Sequence, residues 1–214
     1  MEIIMEYTTN NHAVICGTVI SDPTFSHEVY AEKFYIFTMQ VMRLSEACDY
    51  INVLISERLF NPDFELKTGV LAKVTGQFRS YNNYEATGSR LVLTVFTKKI
   101  EPYDPNSGEN TNQIMLDGYI CKAPTYRVTP FGREIADILI AVNRSYNKSD
   151  YIPAIAWGRN AKFCKDAPLG TRIKLTGRIQ SREYTKHIDE ENTVTKTAFE
   201  VSIAKMEFVF EEEQ

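Results

Sequence analysis

In the C-terminal half of this chain, cations and aromatic rings gather on alternate positions. Over residues 172–184 the even positions read Arg172, Lys174, Thr176, Arg178, Gln180, Arg182 and Tyr184, and Ile173, Leu175, Gly177 and Ile179 fill odd ones. A strand sends successive side chains to opposite faces, so the apolar set turns to a core and the basic set away from it. Tyr151 and Trp157 are six residues apart and share one side by the same rule, opposite Ile152, Ala154 and Ala156; Tyr146 lies just before them. Aromatic faces stack on nucleic-acid bases for roughly 1–3 kcal/mol each, whichever base is offered. Neighbouring cations take up phosphates, with a sensitivity to salt. The chemistry is therefore recognition of a single strand, not bond making. For the basic strand the competing reading is a solvated face; for any one aromatic it is a core or edge position.

Nothing in the chain points to catalysis. His12, His27 and His187 have no ligand spacing, no pair of acids falls into one cleft, and no glycine-rich phosphate loop occurs. Gly69, Gly76, Gly170 and Gly177 fit strand starts and bends in a barrel. Cys16, Cys48, Cys121 and Cys164 have no CxxC spacing. They are expected to be reduced, mostly buried thiols rather than metal ligands or disulfides. No enzyme, cofactor or metal is expected.

The elements that must position the aromatics come from an internal repeat. Adding 101 to a residue number carries Gly17, Pro23-Thr24 and Phe25 onto Gly118, Pro124-Thr125 and Tyr126. The same offset carries Arg43 onto Arg144, Asp49-Tyr50-Ile51 onto Asp150-Tyr151-Ile152, and Ser80 onto Ser181. Each copy reads as β. Apolar runs fall near 12–20, 33–43, 49–56, 70–80 and 90–100, then near 113–121, 134–144, 149–157, 171–183 and 195–206. Thr129-Pro130-Phe131-Gly132 is a turn signal between the first two strands of copy two. A short helix is predicted after the third strand of each copy, near 57–64 and 159–166. Five strands with a helix after the third is the order of the OB-fold, a small Greek-key barrel. The expected fold class is thus all-β, with two tandem OB-folds. The expected division is 1–101, a polar linker 102–112, and 113–210.

Composition limits the setting. The chain has 214 residues, a hydrophobic content of 43% and a net charge of -4. It contains no run of 18 apolar residues, so no membrane span is expected. Its N-terminus lacks a basic, apolar leader, and a cytoplasmic location is expected. The charge is unevenly spread. Residues 1–107 hold 9 basic and 13 acidic side chains, and residues 108–214 hold 15 of each. Copy two is therefore the better partner for a polyanion.

Residues 124–133, 141–144, 157–161 and 177–184 together resemble the bacterial single-stranded DNA-binding proteins. The tandem arrangement is similar to the two-domain members found in some Gram-positive bacteria. The resemblance implies an OB-fold that wraps single-stranded DNA, in replication, recombination or repair. It implies base stacking at the positions matched by Tyr146, Tyr151, Trp157 and Tyr184. It makes Arg144, Lys148, Arg159, Arg178, Arg182 and Lys186 the phosphate partners. Stacking does not read the 2′-hydroxyl, so RNA fits the same track. Family assemblies usually present four OB-folds, which implies a homodimer here. Copy one departs from the pattern, with Ser45, Ser56 and Asn83 standing where copy two has Tyr146, Trp157 and Tyr184. Tyr50 survives, and the fourth strand adds Lys73, Arg79 and Tyr81, with Tyr84 beyond. Copy one is expected to have a thinner track. The sequence ends Phe210-Glu211-Glu212-Glu213-Gln214, without the family's long linker and terminal Pro-Phe, so the usual recruitment tip is expected to be missing. The competing functional reading is an OB-fold interaction module of a replication or primosome assembly that binds DNA weakly. An oligosaccharide binder is disfavoured by the basic fourth strand.

Overall fold

The computed structural model describes residues 9–82, 91–187 and 193–210, without the side chains at 82, 184–187, 194 and 196. The first copy forms β1 (Asn11–Val19), β2 (Thr24–Val29), β3 (Glu32–Met42), β4 (Cys48–Ser56), β5 (Leu71–Asn82) and β6 (Leu91–Pro102). The second forms β7 (Asn112–Val128), β8 (Glu134–Arg144), β9 (Lys148–Trp157), α1 (Arg159–Cys164), β10 (Arg172–His187) and β11 (Thr193–Val209). The expectation of an all-β chain with little helix is met.

Alternation explains both the strands and their core. In β3 the residues Phe37, Met39 and Val41 are buried, and in β9 Ile152, Ala154 and Ala156 are. Ile173, Leu175 and Ile179 of β10 are buried as the sequence predicts, but the next even residue, Gln180, is buried as well. It donates to Glu200 Oε1 of β11 (2.6 Å). In copy one the pairings close a ring through β1, β3, β4, β6 and β5. In copy two they close one through β7, β8, β9, β11 and β10. Among the described residues only β4 with β6 and β9 with β11 run parallel. Gly76 and Gly177 sit where the fourth strand of each ring shifts register against the fifth. A Cβ there would meet the backbone oxygen of Phe96 at 2.1 Å or of Ser202 at 2.2 Å, so only glycine lets the strands approach.

Two elements differ from expectation. β2 has no apolar run to announce it. It is short, lies at the end of the sheet and is almost wholly exposed. The helix after the third strand forms only in copy two. In copy one a three-residue 3-10 turn, Glu57–Leu59, ends at Phe60 in extended backbone. Pro62 explains this: it disfavours helical geometry at Asn61 and offers no N–H to continue the ladder. Residues 159–164 contain no proline.

The two rings meet along a pseudo-two-fold seam. β1 pairs antiparallel with β7, with Ala13 opposite Ile114, its own repeat equivalent. The buried apolar cluster runs continuously through this junction. Side chains at equivalent positions stitch the seam reciprocally. The Ser181 N–H donates to Asp49 Oδ1 (2.8 Å) and the Ser80 N–H to Asp150 Oδ1 (2.7 Å). The Tyr50 N–H donates to Ser181 Oγ (2.8 Å) and the Tyr151 N–H to Ser80 Oγ (2.7 Å). Both aspartates are fully buried. Residues 102–112 are held against copy one: Lys73 Nζ donates to Glu109 (2.8 Å), and the Cys16 N–H to the Thr111 carbonyl (2.8 Å).

Candidate nucleic-acid interface

The outward positions of β9 keep their rings in solvent while their neighbours fill the core. Tyr151 is 47% exposed and Trp157 38%, separated by about 20 Å of strand. Tyr146 stands in the turn between β8 and β9 and is 93% exposed. It and Asn147 both take positive φ, 63° and 54°. For L-residues this costs on the order of 1 kcal/mol each, and it lifts the ring clear of the sheet.

Next to that turn lies a cleft of about 650 Å³ between the two copies. Arg144, Lys148 and Tyr146 line it from copy two, and Arg79 and Gln77 from copy one. Four of the residues expected to bind thus converge, one of them from the other copy. Asp150 closes the cleft floor, with Arg144 Nε 3.4 Å from its Oδ2. Burial holds the Arg79 guanidinium below its ordinary pKa, with nearby Arg144 adding to the effect. An anion entering the cleft would relieve that repulsion.

Other expected residues stand elsewhere. Arg159 opens α1, exposed and two residues beyond Trp157. The basic face of β10 is not bare, because neighbouring strands supply acids that no reading along one strand reveals. Arg172 pairs with Asp117 of β7 through two bonds (3.0 and 2.9 Å). Arg182 lies 3.8 Å from Glu200. Lys174 is opposite Glu207 in the ladder. Arg178 Nη2 donates to Gln180 Oε1 (3.1 Å). Tyr184 and Lys186 belong to β10, but their side chains lie outside the described residues, as does Tyr84. In copy one Tyr50 and Tyr81 are exposed by 46% and 43%. Cys16 and Cys164 are buried and their thiols are pushed up to about 11, which makes them poor nucleophiles. Cys48 is half-buried and Cys121 exposed.

Asp150 provides a pH test of the seam. Burial raises its pKa above the ordinary 3.8, outweighing the Ser80 N–H and Arg144. The native state therefore holds this proton more tightly than the unfolded chain does. A raised acid contributes most below its unfolded pKa, and that contribution is lost as pH rises through the folded one. The stability of the wild type relative to Asp150→Asn is expected to increase as pH falls from neutral toward 4. Urea unfolding of both proteins across that range is the measurement, and a difference that shrinks on acidification contradicts the assignment.

Residues 111–209 match the sequence model of the single-strand binding protein family. Single-stranded DNA-binding protein B of Bacillus subtilis (strain 168) is 34% identical over 83 residues, which cover 34% of this chain and 71% of that protein. The chain belongs to the single-strand binding protein family. Another family member, the single-stranded DNA-binding protein of Enterococcus faecalis (strain ATCC 700802 / V583), is 30% identical over 96 residues, covering 42% of this chain and 51% of that protein. The crystal structure of the wild-type single-stranded DNA binding protein from Thermus aquaticus superposes with a TM-score of 0.74. That match covers 95% of each chain at 18% identity, so the likeness of fold extends over both copies. Membership places this chain among binding proteins rather than enzymes. Among the described residues no helix is long and apolar enough to cross a membrane.

Proposed function

We propose that this chain binds single-stranded DNA without sequence preference, by stacking bases on exposed aromatics and pairing phosphates with nearby cations. Two tandem OB-folds, 1–101 and 113–210, carry the site, and 102–112 joins them. The observation that supports this best is the convergence of Arg79, Arg144 and Lys148 on one cleft with Tyr146 beside it. Tyr151 and Trp157 continue the track along β9, and Tyr184, Arg159, Arg178, Arg182 and Lys186 extend it. Membership of the family, rather than this chemistry, is what supports a role in replication, recombination or repair in the cytoplasm, and the pairing of two chains to present four barrels. The sheet face over the seam, where Val14 and Met115 point outward, is the surface for that second chain. Its check is the mass of the protein in solution.

Trp157 is the single tryptophan, so its fluorescence reports the track directly. Titration with an oligothymidine is expected to quench it strongly, and duplex of equal length to leave it unchanged. The three cleft cations alone predict a slope of log affinity against log salt of about −2, and the cations that extend the track steepen it. A salt-independent affinity, or equal response to duplex, contradicts the reading. Absence of binding turns attention to a protein partner.

A further inference from the structure

The first copy looks depleted when it is compared with the second position by position. One of its missing rings reappears instead on another strand of the same face. Phe34 of β3 lies opposite Ser56 of β4, whereas the equivalent pair in copy two is Ile135 opposite Trp157. The large ring has crossed to the neighbouring strand within one cross-strand pair. An additional ring lies beside it: Phe96 of β6 neighbours Leu54, where copy two has Ser202 beside Ile155.

These rings form a connected row. His27 of β2 stacks on Phe34 with centroids 5.1 Å apart and planes 13° from parallel. Phe34 packs on Phe96 at 5.9 Å, tilted by 38°. The Arg79 guanidinium lies over the Phe96 ring, 3.8 Å from its centroid. His27 is exposed, and Phe34, Phe96 and Arg79 are half-buried, so the row is a surface rather than a core. Arg79 is also a wall of the cleft that holds Arg144, Tyr146 and Lys148. It therefore links the cleft to the row. Glu32, on the strand that carries Phe34, is already engaged by the Ser56 hydroxyl and by Arg58 (3.3 Å), which limits its repulsion of phosphate.

We propose that Arg79, Phe96, Phe34 and His27 form a second base-stacking platform, on copy one, which receives the single strand as it leaves the cleft. This rests on the reading of the chain as a single-strand binder. Aromatic faces and an arginine plane are the surfaces on which unpaired bases stack. Their continuity with a cationic cleft favours nucleic acid over an apolar protein segment.

The test compares oligothymidines of about 8 and about 24 nucleotides, one matched to a single barrel and one long enough for both. The wild type is expected to bind the longer one more tightly. In Phe34→Ala/Phe96→Ala, affinity for the longer one should fall tenfold or more while affinity for the shorter one is unchanged. A second protein, Trp157→Phe/Phe34→Trp, moves the only tryptophan to the platform. Its fluorescence should be quenched by the longer oligonucleotide and not by the shorter. Unchanged affinity of the alanine variant, or an unquenched tryptophan at 34 with the longer strand bound, overturns the platform and leaves the parent reading standing. Should the alanine variant fail to fold, the tryptophan reporter decides. Failure of the wild type to bind either strand removes the parent reading and the platform together.

Discussion

Changing Tyr151 and Trp157 together to alanine is expected to weaken binding of oligothymidine by a factor between about 30 and 10⁴. Each ring contributes roughly 1–3 kcal/mol of stacking, and a factor of ten corresponds to about 1.4 kcal/mol. Two properties make the experiment clean. Both rings are outward and partly solvated, so their removal opens no cavity in the core. The seam contact at Tyr151 is made by its main-chain N–H to Ser80, which alanine retains. Unfolding midpoints should therefore remain near the wild-type value. Anisotropy of a labelled oligonucleotide reads the affinity without relying on tryptophan. Binding within threefold of the wild type would take the ligand off the β9 rings, and the β10 cations would become the next part of the track to probe.

Replacing Asp49 with alanine should cost about 3 kcal/mol of folding stability. The carboxylate is fully buried and accepts two bonds from Arg43, one of them 2.7 Å, together with the Ser181 N–H across the seam. Truncation leaves a half-buried guanidinium without its partner and a main-chain donor without its acceptor. Loss of one member of a buried pair costs roughly 3–5 kcal/mol, and an unsatisfied donor about 1–3 kcal/mol. Partial solvation of Arg43, whose side chain is 25% exposed, brings the expectation to the lower end. Asp49→Asn keeps an oxygen for Ser181 and should lose less. Urea unfolding of the two variants gives the comparison. A loss below about 1 kcal/mol for the alanine variant would mean that the β1–β7 pairing and the apolar core hold the seam without Asp49.

Much of this architecture is legible in the residues, for reasons that can be named. Strand alternation put Ile152, Ala154 and Ala156 inward and Tyr151 and Trp157 outward, because a pleated backbone leaves no other choice. The fixed offset of 101 carried more information than domain count. Asp49 with Asp150 and Ser80 with Ser181 recur and bond across the pseudo-dyad, and Arg43 and Arg144 recur as the partner of the aspartate within each copy. A polar identity kept at a repeat position is what a reciprocal interface demands. Asn11 and Asn112 obey the same offset and do a related task, each bonding both main-chain groups of a residue on the fourth strand.

What the sequence hid lies across strands rather than along them. Asp117 and Glu200 temper the arginines of β10 from neighbouring strands, and the distance in sequence conceals the distance in space. The row His27, Phe34 and Phe96 was concealed for the same reason, since comparing equal positions cannot detect an aromatic that changed strands. The missing helix in copy one was legible in Pro62. β2 was not, because an exposed edge strand of six residues has no apolar period to read.

The covalent join between the halves has a genetic consequence. In an assembly of identical subunits every substitution appears on both sides of the dyad, so a residue that suits one side must be tolerated on the other. Here the two sides are encoded separately, and dilution cannot part them. One half is free to acquire Trp157 while the other keeps Ser56 and builds on Phe34. Division of labour between paired barrels is thus open to single mutations, where in an identical pair each mutation alters both barrels alike.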